Sequence, residues 1–177
     1  MQSKWYTLYT RENYEMKVVS YFTKKGISCF CPINRVVKNG IFNQEVIKNQ
    51  PLFKEYVFIN IEDNRLSIIK ENNHVINYVY WLGRPVILSE FEIENIRSFV
   101  LLHRNIILEK TEVRINRATE SGNIFMKYYT SENALDEDKN KSCLTIHSLG
   151  FRLISEKKVN QLVFRKKSDS INQLEKV

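Results

Sequence analysis

The side chains in this 177-residue sequence best suited to chemistry are three histidines, His74, His103 and His147, and three cysteines, Cys29, Cys31 and Cys143. Nucleophilic catalysis needs a base within reach of both a nucleophile and an orienting carboxylate. The three histidines are scattered and offer no such arrangement, so His103 and His147 read as ordinary surface or partly buried residues. An odd number of cysteines without metal-ligand spacing supplies neither a zinc site nor a disulfide framework. Cys29 and Cys31 lie two apart, so on a strand they share one face as small hydrophobes. A Walker loop, a dinucleotide fingerprint, a nucleophile elbow and His-Glu-x-x-His are all missing. Five glycines are too few for a phosphate cradle. The expectation is a binding protein with no catalytic residue, no metal and no cofactor.

Binding chemistry is better represented. Gln50 to Ile61 carries Leu52, Phe53, Tyr56, Val57, Phe58, Ile59 and Ile61 behind Pro51, a density of aromatic and β-branched residues that predicts a strand. Pro51 has no donor and is expected at its start. Alternation puts Tyr56 and Phe58 on one face and Val57 and Ile59 on the other. Two readings stand side by side: a strand buried on both faces, or one whose aromatic face receives a partner.

The elements around it follow from pattern and punctuation. Trp5 to Tyr9 reads as a first strand. Thr10 is a plausible helix N-cap, and Tyr14, Val18, Tyr21 and Phe22 recur at helical spacing up to the terminator Gly26. The other face of this helix offers Arg11, Lys17 and Lys24, a basic surface that is either solvent-facing or a phosphate contact. Ile27 to Pro32 is a second strand, and Asn39-Gly40 predicts the turn of an exposed hairpin arm. After Pro51–Ile61 come a short helix from Glu62, a strand over Val75 to Trp81, and a helix opened by the capping box Ser89-x-x-Glu92 and running through Leu102. Strands and helices alternating in this way favour an α/β or α+β sandwich around a mostly antiparallel sheet.

Past His103 the texture changes. Glu112–Asn116, Ile124–Thr130, Ser142–His147, Phe151–Ser155 and Gln161–Phe164 read as short strands separated by turns, which suggests a small barrel. The expected organisation is a domain over 1–105, a linker over 106–110, a second domain over 111–166 and a polar tail over 167–177.

The net charge of +7 and pI near 9.3 suit a nucleic-acid or acidic-protein partner. Residues 1–105 carry 14 Lys/Arg against 10 Asp/Glu, and the remainder 13 against 10, so the excess is spread over the chain. No apolar run approaches the ~20 residues of a bilayer span, and Trp5 to Tyr9 is too short for a signal peptide. The expectation is a cytoplasmic protein with no membrane partner.

Trp5-Tyr6 opening a strand, a helix, Cys31-Pro32, Pro51-Leu52-Phe53-x-x-Tyr56-Val57-Phe58, then Gly83-Arg84-Pro85 and an acidic helix resemble the N-terminal domain of the NusG family in order and spacing. The resemblance covers about residues 4 to 102. Pro-Leu-Phe before the aromatics and the arm at Asn39-Gly40 bring it nearer the specialised RfaH-like or UpxY-like branch. Lys54-Glu55 departs from the Pro-Gly or Pro-Asn usual in the family. The second half carries only Gly122 near its first strands, a degenerate version of the KOW motif.

The resemblance implies an α/β sandwich followed by a five-stranded SH3-like barrel. It implies a transcription elongation or antitermination factor that binds the clamp helices of RNA polymerase and suppresses pausing or termination at particular operons, in the bacterial cytoplasm, on the nucleoid during transcription. By residue match, Phe53, Tyr56, Phe58, Trp81 and Leu82 would meet polymerase. Arg11, Lys17, Tyr21 and His74 would read the non-template DNA strand, with Tyr21 either stacking on a base or packing in the core. The C-terminal domain would recruit the ribosome or Rho. If the two domains dock, the Phe53–Tyr56–Phe58 patch is hidden until recruitment. The alternatives are an RNA- or ribosome-binding protein without polymerase contact and a small-molecule domain, which would need a pocket with convergent polar groups.

Overall fold

The computed structural model of the chain describes residues 2–40, 44–111, 113–116, 125–128 and 141–156. Its centre is an antiparallel sheet in the order β2-β5-β1-β6, from β1 (Lys4–Thr10), β2 (Ser28–Phe30), β5 (Tyr56–Ile61) and β6 (Val75–Tyr78). β9 (Ile87–Leu88) also pairs with β1, through Trp5 and Tyr6. β3 (Ile33–Asn39) and β4 (Glu45–Pro51) form the arm, and β7 (Tyr80–Trp81) and β8 (Arg84–Pro85) a small hairpin. The helices are α1 (Glu15–Lys24) and α2 (Glu90–Leu102), with a 3-10 helix over Asp63–Glu71.

The sheet is buried on both faces. Alternation sends Tyr6, Leu8, Val57, Ile59 and Ile61 to one side, where they pack with Val18 and Phe22 of α1 and Ile69 of the 3-10 helix. On the other side Trp5 and Phe58 pack with Leu88, with Ile93, Ile96 and Phe99 of α2, and with Ile146 and Leu153 far along the chain. Those last two belong to a second antiparallel sheet, β10-β14-β13, made of β10 (Ile107–Lys110), β13 (Lys141–Ile146) and β14 (Phe151–Glu156). β11 (Val113–Asn116) pairs with β12 (Phe125–Tyr128). Four of the five expected strands of the second half thus have counterparts in β11 to β14. The fifth, Gln161–Phe164, and the tail 167–177 lie outside the described residues. The architecture is mixed α/β with antiparallel sheets.

Several local expectations are corrected. The segment 106–110, expected as a linker, is structured. Ile106 is buried and exchanges two hydrogen bonds with the Asn34 side chain, at 2.8 and 3.1 Å, and Ile107–Lys110 is β10. Thr10 does not cap α1. It stays in the β1 ladder and donates its N–H to the Glu55 carbonyl at 2.8 Å, and the helix begins after a turn through Asn13 at φ 63°. Pro51 ends β4 opposite Ile33 and does not open β5. Val37 donates its N–H away from β4, to Asn105 Oδ1 at 2.7 Å. The two-residue period then makes Ile33–Pro51 a pair without ladder bonds, where a missing donor costs nothing. The arm turns beyond Asn39-Gly40, with Asn39 still paired to Glu45 and Gly40 N–H bonded to Gln44 O. The strand expected over Val75 to Trp81 breaks at Val79, whose N–H goes to Thr7 O at 2.8 Å.

The capping box of α2 is present as predicted. Ser89 Oγ accepts the Glu92 N–H at 3.2 Å, and Glu92 Oε2 accepts the Ser89 N–H at 2.9 Å. Ser89→Ala removes the acceptor and should cost about 1 kcal/mol of stability, read as a lower urea midpoint with an unchanged slope.

Candidate functional site

The C-terminal sheet seats on the aromatic face of the central sheet. Phe53 is 2% exposed, against Phe151 at 5.9 Å between ring centroids and Phe58 at 5.6 Å. Phe58 is wholly buried. Tyr56 is half-buried and meets Tyr9 edge-on at 6.2 Å. The polar link across this junction is Glu92. Its carboxylate, already engaged at the N-terminus of α2, also accepts the Ser148 N–H at 3.1 Å and hydroxyl at 2.8 Å. Burial raises the Glu92 pKa, but the hydrogen bonds from Ser89 and Ser148 outweigh it and hold the carboxyl below its ordinary value. Ser155 Oγ, donating to Arg104 O at 2.7 Å, adds a second tie.

Beside this junction the β7–β8 hairpin stays uncovered. Tyr80, Trp81 and Leu82 are 50%, 50% and 61% exposed. The two residues between Trp81 and its partner Arg84 are Leu82 and Gly83, at φ 48° and 76°. A two-residue turn with both central φ positive matches the twist of a hairpin. Glycine adopts it freely, whereas leucine pays a strain cost there. Phe53 and Phe58 are therefore interior, Trp81 and Leu82 are surface, and Tyr56 lies between them in the cleft that separates the hairpin from β10 and β14.

The four basic and aromatic positions on the opposite side also come together. Lys17, Tyr21 and His74 line a cleft of about 470 Å³ between α1 and the turn before β6. Arg11 donates its N–H to the His74 carbonyl at 2.9 Å. His74 stacks on Tyr14 at 4.0 Å, and Lys17 Nζ sits 4.4 Å from the same ring. Tyr21 is neither core nor free. It is half-buried, donates to Glu71 O at 3.3 Å, and carries Lys25 Nζ 4.9 Å from its ring. Sequence reasoning assigned Tyr14 to the apolar stripe and overlooked Tyr9 and Tyr80. Only the fold brings Tyr9 beside Tyr56 and Tyr14 beside His74.

A family model described as "Transcription termination factor nusG" matches residues 3–97 of the 177. The chain belongs to the NusG family. Proteins of this family are transcription factors, not enzymes, and generally bind RNA polymerase. The match spans the central sheet, α1, α2 up to Arg97 and the α1 cleft, whereas Leu108 and Phe151 in the wall of the cleft beside the β7–β8 hairpin lie beyond it. Among solved structures, one titled "Domain interaction in Thermotoga maritima NusG" aligns at a TM-score of 0.43 and 19% identity, covering 88% of this chain and 94% of that one. No curated protein matches significantly. No helix among the described residues is long and apolar enough to cross a membrane, and no cluster of metal-ligating side chains occurs among them.

The Glu92 link sets a pH dependence. A carboxyl whose folded-state pKa lies below its unfolded value stabilises fully above the unfolded value and loses that contribution as pH falls through the folded one. The contact between Phe53 and Phe151, followed by NMR cross-peaks, should weaken as pH falls from neutral through the carboxylate range. In Glu92→Gln it should already be weaker at neutral pH and vary less with acid.

Proposed function

We propose that this NusG-family protein is a transcription elongation and antitermination factor of the specialised type, docking on the polymerase clamp helices through the β7–β8 hairpin and the cleft at its side. The observation that carries this reading is Leu82, an exposed apolar residue held at a positive φ on a hairpin tip between exposed Trp81 and Gly83. Neither stability nor solubility favours leucine there, whereas a partner's apolar groove does. Tyr56 extends the same surface. Phe58 supports it from beneath. Phe53, on the cleft wall against Phe151, is uncovered further when the C-terminal sheet leaves, so the sheet's docking tunes affinity by population shift. In the released state the C-terminal strands complete a small five-stranded barrel free to meet a second partner, the ribosome or Rho.

The cleft at α1 is the proposed contact with the non-template strand. Arg11 and Lys17 hold phosphates, and the Tyr14–His74 stack and Tyr21 offer faces to bases. Particular operons would be chosen by the bases this cleft accepts.

Two variants separate these roles. Trp81→Ala with Leu82→Ala should weaken polymerase binding about 30-fold in a pull-down or by interferometry, the size expected for losing a hot spot of ~2 kcal/mol, with an unchanged fold by circular dichroism. Wild-type affinity in this variant would refute hairpin docking. Arg11→Ala with Lys17→Ala should leave affinity for polymerase alone intact. It should abolish recruitment to a paused complex that displays the target strand, and lower the salt slope of binding by roughly 1.4. Unchanged recruitment would remove the DNA-reading role.

A further inference from the structure

Apolar docking alone does not explain why the cleft beside the hairpin is lined with tyrosines. This cleft, about 490 Å³, is bounded by Tyr9, Tyr56, Tyr80, Phe53 and Phe151, with Glu55 at its wall. The Tyr9 and Tyr56 rings stand 80° apart and form a corner. Tyr6, Tyr21 and Tyr78 each donate their hydroxyl to a partner, namely Asp63, the Glu71 carbonyl and the Leu66 carbonyl. The hydroxyls of Tyr9, Tyr56 and Tyr80 have no hydrogen-bond partner among the described residues. Three phenols around one cavity are thus unused.

Glu55 is the second observation. It is a non-glycine residue at φ 64°, clamped at both backbone groups. Its N–H donates to the Glu15 carboxylate at 2.8 Å, and its carbonyl accepts the Thr10 N–H at 2.8 Å. Backbone strain maintained in this way is found at functional sites. The Glu55 carboxylate itself forms no ion pair among the described residues. Lys54, the one cation lining the cleft among the described residues, is exposed and forms no ion pair with it. The Tyr56 phenol is shifted up by burial first, then by Tyr9 and by the charge of Glu55, as expected of a cavity that disfavours added negative charge.

We propose that this cleft receives an arginine side chain presented by the docking partner. The assignment rests on the polymerase-docking reading and names the partner's chemistry at that same surface. A guanidinium is planar and weakly hydrated, stacks on aromatic faces, and has donors for phenol oxygens and a carboxylate together. An acidic side chain would meet Glu55, and a purely apolar one would bury phenols without partners.

The test needs no polymerase. Nα-acetyl-L-arginine methylamide, and its neutral counterpart made from citrulline, are titrated into the full chain while the ring signals of Tyr9, Tyr56 and Tyr80 are followed by NMR. The arginine compound should shift these signals at a concentration at least tenfold below that needed for the citrulline compound. Glu55→Gln, an exchange at the cleft wall that leaves the fold intact, should reduce the difference to less than threefold, and Tyr56→Leu should abolish the shifts. Equal response to both compounds, or no response to either, overturns the arginine assignment. So does arginine binding that persists undiminished in both variants. Loss of the arginine response alongside intact polymerase pull-down removes this inference alone, whereas an arginine response with no polymerase bound removes the docking reading and leaves the cleft as an arginine site.

Discussion

The β1–β5 ladder is the constraint on which the rest depends. Lys4 to Tyr9 run antiparallel to Tyr56 to Ile61, each residue facing a fixed partner. Because side chains alternate, this single register assigns every neighbour to a face at once. Tyr6 with Ile59 and Leu8 with Val57 face α1, while Thr7 with Phe58 and Tyr9 with Tyr56 face the other way. A slip of one residue would exchange the two cores and send the Tyr9–Tyr56 corner into the packing of α1.

Burial on both faces makes the second half of the chain part of the first half's interior. Ile146 and Leu153 are fully buried in the same cluster as Trp5 and Phe58. The junction is closed at one edge by Asn34 with Ile106 and at another by Glu92 with Ser148. Glu92 joins local and long-range order, because one carboxylate accepts the N–H of the Ser89 N-cap and holds a turn more than fifty residues away. A group shared in this way couples the start of the helix to the seating of the sheet.

The two proposed contact surfaces differ physically. The α1 cleft is basic and aromatic, built from side chains that remain solvated, and suits a flexible polyanion. The surface at β7–β8 combines an apolar tip, backbone strain at Leu82 and Glu55, and tyrosines beside a carboxylate. Strain of this kind persists only where surrounding structure over-determines it. The clamping of Glu55 from both sides by Glu15 and Thr10 supplies that determination.

Local rules made much of this fold legible in the sequence. The alternation in Tyr56–Ile61, the helical spacing of Val18, Tyr21 and Phe22, the terminator Gly26 and the capping box at Ser89 each depend on residues a few positions apart and are found where pattern placed them, whereas Tyr14, expected on the same stripe, stands at the N-cap and stacks on His74. The family signature is equally local, carried by Trp5-Tyr6, the Phe53 to Phe58 run and Gly83-Arg84-Pro85. What the sequence left open was which faces are covered, since a buried aromatic and a docking aromatic share the same periodicity. Tertiary packing decided that Phe58 is core, that Phe53 lies under Phe151, and that Trp81 and Leu82 stay exposed. It also made Ile107–Lys110 a strand, through its ladder with β14, and fixed Ile106 before it through the Asn34 side chain from far along the chain. Long-range pairings such as Tyr9 with Tyr56, Tyr14 with His74 and Glu92 with Ser148 have no signature within a short window. They are set by the register of strands and by the surface left once both faces of the sheet have been covered.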